Sequence, residues 1–305
     1  MTKQRTIGQT DAHLQQTSDL TTYNTAAQAS SAVIISEYST SFGLAARLLE
    51  PRMRGQIRSI YALVRIADEL VDGAAAGAGL DIQAQRELLD DLETETIAAI
   101  GRGYSTNLVV HAFAMTARET GIDATLVAPF FASMRRDLDT IPFTSDTLAV
   151  YIYGSAEVVG LMCLRSFLQG TSPSAVESAT LVAGARRLGA AFQKINFLRD
   201  LADDYEALGR SYFPGIDPTA MTELDKARIL ADIDADLAVA SLALPLLPVG
   251  CRPAVRAAHD LFARLARKLH DTPCTELCTT RVRVPDGEKL LLAAGVLLGR
   301  GARAR

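Results

Sequence analysis

Gln193-Lys194-Ile195-Asn196-Phe197-Leu198-Arg199-Asp200-Leu201-Ala202-Asp203-Asp204 is the stretch on which the fold turns. Gln193, Asn196, Asp200 and Asp204 follow one another at 3, 4 and 4 residues. At about 3.6 residues per turn they make one narrow stripe along a helix, with Asp203 beside it. Much of the remaining circumference is apolar (Phe192, Ile195, Phe197, Leu198, Leu201), although Lys194 and Arg199 interrupt it. The pattern predicts a buried helix whose polar stripe faces a cavity. Carboxylates withdrawn from water either protonate or hold a counter-cation, and an oxygen-only donor set suits Mg²⁺.

A second pair lies in Arg65-Ile66-Ala67-Asp68-Glu69-Leu70-Val71-Asp72, where Asp68 and Asp72 share a helix face with Arg65 and with Tyr61 one turn earlier. Asp232 and Asp236 repeat the spacing and read as an ordinary solvated face, so spacing alone assigns nothing. Mg²⁺ keeps several waters and binds through one or two carboxylates together with phosphate oxygens. Two acidic stripes facing each other would therefore hold a diphosphate through metal bridges.

Working outward, the chain has 305 residues, 49% apolar and only 6% aromatic, so Ala, Leu, Val and Ile build the core. Apolar residues recur at helical spacing nearly everywhere, which predicts an all-α protein. Pro51 opens a helix running to about Val71, Gly73 to Gly79 form a flexible break, and Asp81 caps the next helix. Further helices are expected over 81–100, 107–119, 123–137, 145–168, 174–207, 222–242 and 253–270, with a last one after Pro285. Residues 1–30 read as a polar, flexible tail, 31–299 as one helical domain and 300–305 as a basic tail.

Thirty-one basic against 35 acidic side chains leave a net charge of −4, which argues against nucleic acid as a partner. No Gly-x-Gly-x-x-Gly, Walker loop, Gly-x-Ser-x-Gly or His-Glu-x-x-His occurs, which removes the usual Rossmann, P-loop, hydrolase and zincin readings. His13, His111, His259 and His270 are scattered and read as surface or satisfied core residues. Cys163, Cys251, Cys274 and Cys278 lack zinc spacing and read as inert thiols of a reducing cytosol. Residues 290–298 and 238–247 are the longest apolar stretches and fall short of the roughly 20 residues that span a bilayer. A cytoplasmic protein, with any membrane contact peripheral, is the expectation.

With these residues in place, the sequence resembles the squalene and phytoene synthases, the head-to-head prenyl transferases. Four tracts carry the likeness in order and separation: Tyr38-Ser39-Thr40-Ser41-Phe42, Tyr61 through Asp72, Tyr151-Ile152-Tyr153-Gly154-Ser155-Ala156, and Gln193 through Tyr212-Phe213-Pro214. The resemblance implies an isoprenoid-synthase-type helical bundle around a central apolar cavity. It implies Mg²⁺ roles, with Mn²⁺ as a substitute, for Asp68, Asp72, Asp200 and Asp204, supported by Gln193 and Asn196. It also implies diphosphate contacts for Ser39, Ser41, Arg65, Arg199 and Tyr212, and a basic C-terminal segment from Arg281 to Lys289. Two departures stand out: Tyr38 where some relatives have His, and Glu157 where many have Gly. Glu157 is expected to turn towards solvent or an Arg.

What the resemblance implies chemically is a Mg²⁺-assisted loss of diphosphate from one prenyl substrate in a dry, apolar channel. The cation then meets the double bond of a second substrate, giving a cyclopropylcarbinyl diphosphate that ionises again and loses a proton. Tyr153 is the candidate for cation control or proton removal. Phe42 and Ala46, one turn apart, flank the expected tunnel, and Ala46 leaves depth for twenty-carbon chains. The expectation is a phytoene synthase of carotenoid biosynthesis, needing no NADPH. Squalene or dehydrosqualene synthesis from fifteen-carbon substrates is the alternative, and a non-catalytic helical assembly protein is the alternative of another class. A cyclising terpene synthase is disfavoured because its paired metal motifs are missing. Lipid substrates and Arg300, Arg303 and Arg305 point to the inner face of the cell membrane, with downstream carotenoid enzymes as partners.

Overall fold

The computed structural model describes residues 3–139, 141–280 and 282; for 3–17, 40, 41, 207 and 208 it describes the backbone alone. Helices follow one another as α1 (Lys3–Tyr38), α2 (Thr40–Ala46), α3 (Pro51–Asp72), α4 (Ala74–Gly77), α5 (Ile82–Arg102), α6 (Leu108–Thr120) and α7 (Ala124–Asp137). Then come α8 (Ser145–Ile152), a π-helical turn (Tyr153–Glu157), α9 (Val158–Leu168), α10 (Ala175–Arg199), α11 (Leu201–Leu208), α12 (Glu223–Ala243), a 3₁₀ turn (Leu244–Leu246), α13 (Arg252–Asp271) and α14 (Cys274–Leu277). No strand occurs among the described residues, so the fold is all-α as expected.

Local chemistry sets most boundaries. The side chains of Asp81, Asn107, Asp123, Thr144, Ser174 and Thr222 each accept a backbone N–H of the helix they precede. Pro51 begins α3, where its missing N–H costs nothing. The Gly-rich break after Asp72 is short and ordered, a single helical turn entered through Gly73.

Three expectations are corrected: the unbroken helix over 145–168, the unbroken helix over 174–207 and the solvated face at Asp232 and Asp236. Helix α1 covers residues 3–38, and its Ala27, Ser31 and Ile35, at i, i+4 and i+8, form a buried seam. Tyr23 donates to the Ser105 carbonyl at 2.8 Å, and Asn24 meets His111 at 2.7 Å. Ala27 and Ser31 are small residues, and the stretch before Ser31 is rich in Thr, Gln and Ser, which composition alone reads as a polar tail. The helix expected over 145–168 contains the π turn, where one extra residue per turn re-aims its neighbours. Gly154 in that turn leaves no room for a side chain, since a Cβ would lie 2.2 Å from the Pro129 carbonyl and from Ser133 Oγ.

The helix expected over 174–207 is broken at Asp200, whose ψ of 12° ends α10 and starts α11, so the acidic stripe is bent. Asp232 and Asp236 are not a solvated face either. Asp236 is buried, accepts from Lys194 at 2.7 Å and Arg187 at 3.2 Å, and ties α12 to α10, while the exposed Asp232 also accepts from Lys194. The expected helix after Pro285 lies outside the described residues.

Residues Ser145–Leu168 form one helix long and apolar enough to cross a bilayer by length and composition. Here Tyr151, Ile152, Val158, Met162, Leu164 and Phe167 are buried inside the bundle, packed among its other helices. Three glycines bring α10 close to its neighbours. A Cβ on Gly160 would lie 2.4 Å from the Ala185 carbonyl, one on Gly189 2.5 Å from the Ala156 carbonyl, and one on Gly184 2.3 Å from Ala243 Cβ.

Candidate active site

Between α2, α3, α9, α10 and the junction of α12 with α13 lies a cavity of about 310 Å³. Its walls are almost wholly apolar: Phe42, Ala46 and Leu49 from one side, Ile57, Ile60 and Val64 from α3, and Leu164, Leu181, Leu188 and Phe192 from the other. Phe42 packs its ring against Tyr61, Phe192 and Phe262 with centroids 5.9 to 6.3 Å apart. The polar groups that reach the cavity are few, among them Ser155, Gln193 and Asn196. Ser155 Oγ and Asn196 Oδ1 are buried without a hydrogen-bond partner.

The acidic pairs stand at one end of this bundle, on the last turns of α3 and at the α10–α11 break. Arg65 donates to Asp68 at 2.8 Å and also to Glu69, and its guanidinium lies 4.5 Å from the Tyr38 ring centroid. Arg199 donates to Asp200 through Nε at 2.8 Å and through Nη2. Burial raises the Asp204 carboxyl to about 6, and the negative charges of Asp200 and Asp72 add to it. Burial likewise raises Asp68 to about 7, with Asp72 contributing next. Asp204 feels Asp72 although they lie on different helices, so the two pairs share one electrostatic field.

Three residues that the sequence did not single out, Arg210, Asp137 and Tyr151, complete this end beside the expected Tyr212. Arg210 donates to Asp72 Oδ1 at 2.5 Å and to the Asp137 backbone carbonyl at 2.8 Å. Tyr151 donates to Asp137 Oδ1 at 2.7 Å, and burial raises the Asp137 acid to about 7 despite nearby Arg210. Tyr212 stacks on Phe197 at 3.8 Å beside Tyr151 and is raised above the ordinary phenol range, first by burial and then by Asp204. Arg210 sits two residues before Tyr212 in a quoted tract, and Tyr151 two before Tyr153, so the signals were adjacent to those read.

Of the expected residues, Phe42, Gln193 and Asn196 line the cavity, and Ser39 caps α2 by accepting from Phe42 N at 3.1 Å. Tyr153 stands apart from these. It is absent from the cavity lining, and its ring lies 5.2 Å from the Arg186 guanidinium, which pairs with the buried Glu157 at 2.6 Å. Glu157 thus meets an Arg, as expected. The side chain of Ser41 and all of Arg281 and Lys289 lie outside the described residues, as do Arg300, Arg303 and Arg305.

No group of three or more His, Cys, Asp or Glu side chains among the described residues is gathered closely enough to hold an ion unaided. The donor set nevertheless fits a hard cation. It is all oxygen, and Asn196 Oδ1 is a buried acceptor with nothing to accept from, as a neutral ligand to such an ion would be.

A profile of the squalene/phytoene synthase family matches residues 35–288. The chain belongs to the squalene/phytoene synthase family. It is 34% identical over 198 residues to phytoene synthase 3, chloroplastic, of Zea mays, covering 64% of this chain and 44% of that one. It is 30% identical over 183 residues to the 15-cis-phytoene synthase of a Paracoccus species, covering 59% of this chain and 58% of that one. The chain thus spans about half the length of these curated relatives. A solved dehydrosqualene synthase in complex with ligand has the same fold, with a TM-score of 0.72 at 24% identity over 90% of this chain and 97% of that one.

Proposed function

We propose that this chain joins two molecules of geranylgeranyl diphosphate head to head, through a cyclopropylcarbinyl diphosphate, to phytoene. The observation that carries the reading is an apolar cavity in a bundle whose end bears two aspartate pairs, Asp204 of one in the field of Asp72 of the other, and the cations Arg65, Arg199 and Arg210. The names of the two curated relatives support the twenty-carbon substrate, and so does Ala46 in the cavity wall.

Asp68, Asp72, Asp200, Asp204 and Asn196 would hold Mg²⁺. When bound, Mg²⁺ neutralises diphosphate oxygens and so favours departure of that group. The guanidinium groups of Arg65, Arg199 and Arg210 take up charge developing on the departing oxygens. The walls from Phe42, Val64, Leu188 and Phe192 exclude water, so a carbocation meets an alkene before hydroxide or solvent reaches it. Tyr153 would guide the final proton loss to the departed diphosphate, while Tyr151, which donates to Asp137 and lies in the field of Asp72, would order the acids beside it.

The test is incubation with Mg²⁺ and either geranylgeranyl or farnesyl diphosphate, with and without NADPH, followed by mass identification of extracted hydrocarbons. Phytoene from the twenty-carbon substrate without NADPH is expected. Exclusive use of farnesyl diphosphate replaces the reading with squalene or dehydrosqualene synthesis, and no Mg²⁺-dependent diphosphate release from either leaves the non-catalytic alternative.

A further inference from the structure

The acids occupy the C-terminal ends of α3 and α10, so the other end of the bundle gathers the start of α3, the end of α9, the start of α10, the end of α12 and the start of α13. At about 1.5 Å per residue, Pro51 lies about 30 Å along α3 from Asp72. Two loops close that far end, residues 47–50 and 247–251, joined by Glu50 N–H to the Gly250 carbonyl at 3.1 Å. Ala46, Leu49, Leu244 and Leu247, next to these loops, line the cavity.

Large apolar side chains project from the same end: Val176 at 77% exposure, Leu242 at 65% and Val249 at 78%, with Leu246 beside them. On the 47–50 loop and the first turns of α3, at this same end, stand Arg47, Arg54 and Arg58, whose side chains have no ion pair or hydrogen bond among the described residues, and the Arg58 Nε is buried without a partner. Partial burial disfavours the charge on Arg58, and the neighbouring charges of Arg54 and Arg47 add to this. The nearby carboxylates do little to relieve this. Glu177 is taken by Ser174 at 2.8 Å and Glu119 by Gln56 at 3.0 Å, while Glu50 lies against Gly250.

Projecting apolar groups ringed by unpaired arginines are what an interfacial protein presents to headgroups and acyl chains. A symmetric pairing of two copies through this end would set arginine against arginine. The acidic end also exposes apolar groups, Ile141, Val150 and Tyr205, but shares them with aspartates that an anionic surface repels. We propose that the far end of the bundle docks on an anionic lipid bilayer, with Val176, Leu242, Leu246 and Val249 entering the interface and Arg47, Arg54 and Arg58 meeting phosphate headgroups. The apolar end of the cavity then faces lipid. This docking stands or falls independently of the proposed reaction.

The experiment is flotation of the full chain with vesicles of phosphatidylcholine, alone or mixed with phosphatidylglycerol, each variant being checked for folding by its circular-dichroism melt. The unaltered chain floats with the mixed vesicles. Replacing Arg47, Arg54 and Arg58 together by Gln weakens binding about a hundredfold, given three arginine contacts. Leu242→Asp with Val249→Asp weakens it too, whereas Val150→Asp leaves it unchanged. Four outcomes overturn the proposal: no flotation of the unaltered chain; full binding by both far-end variants; loss through Val150→Asp, or through Gln at Arg300, Arg303 and Arg305 while the far-end variants bind; or self-association in sedimentation that Val249→Asp abolishes, which assigns the face to a second copy.

Discussion

Arg210 clasps Asp72 from 138 residues away along the chain, Nη1 to Oδ1 at 2.5 Å, and so ties the segment after α11 to the end of α3. The same guanidinium stands 3.8 Å from the buried Asp137 carboxylate. Replacing it by Gln leaves Asp137 without its cation, and stability should fall by about 3 kcal/mol at pH 8. At pH 5.5 the loss should be smaller, because Asp137, already raised to about 7, takes a proton instead. Urea unfolding at the two pH values measures this, and equal losses would mean that Arg210 acts through its backbone contacts.

The metal-free chain should be more thermostable at pH 5.5 than at pH 8. Asp68, Asp137 and Asp204 sit at about 7, 7 and 6 in the folded chain against 3.8 ordinarily, so between those values the folded state binds more protons than the unfolded one. Stability is then held near pH 4 and lost as pH rises through 7. Differential scanning calorimetry in a chelator tests the sign, and adding Mg²⁺ with inorganic diphosphate should narrow the difference.

Asp72→Asn and Asp200→Asn should abolish turnover while the far-ultraviolet dichroism stays unchanged. Asp232→Asn should leave turnover within error, since its carboxylate is exposed and Lys194 keeps Asp236. Asp236→Asn should cost about 2 kcal/mol of stability, because two cations lose a buried partner, with turnover per folded molecule retained. Equal loss of turnover in all four variants would undo the assignment of the acid pairs.

Gly154→Ala should destabilise by about 3 kcal/mol, since the added methyl meets backbone and hydroxyl at 2.2 Å. Gly55→Ala, inside α3 with nothing within 4 Å of the new Cβ, should instead stabilise by about 0.5 to 1 kcal/mol. Chemical denaturation of both variants compares the signs directly.

Ala46→Phe should fill part of the cavity wall and shift use from geranylgeranyl towards farnesyl diphosphate. Competition between the two substrates, read by product mass, checks the direction; an unchanged ratio would place the limit on chain length elsewhere.

Boundaries governed by one residue and its own helix were legible in the sequence: Pro51, Asp81, Asn107, Asp123 and Thr222 stand where expected. Features created by packing between helices were not. The π turn depends on how closely Gly154 approaches Pro129 and Ser133, and it decides which tyrosine faces the acids. Tyr151 and Tyr153 are two residues apart and so point to opposite faces, a choice that spacing cannot make. Arg210 escaped notice for a related reason: its partners, Asp72 and Asp137, are remote in sequence and meet it only in the folded bundle.

The glycine contacts that seat α10 against α9 and α12 have an evolutionary corollary. One wall of the hollow is backbone touching backbone, or nearly so, and admits no enlargement of its residues without prising helices apart. Adaptation to shorter or longer hydrocarbon guests must therefore proceed on the facing wall, where Phe42, Ala46, Leu49 and Ile57 can be exchanged one at a time.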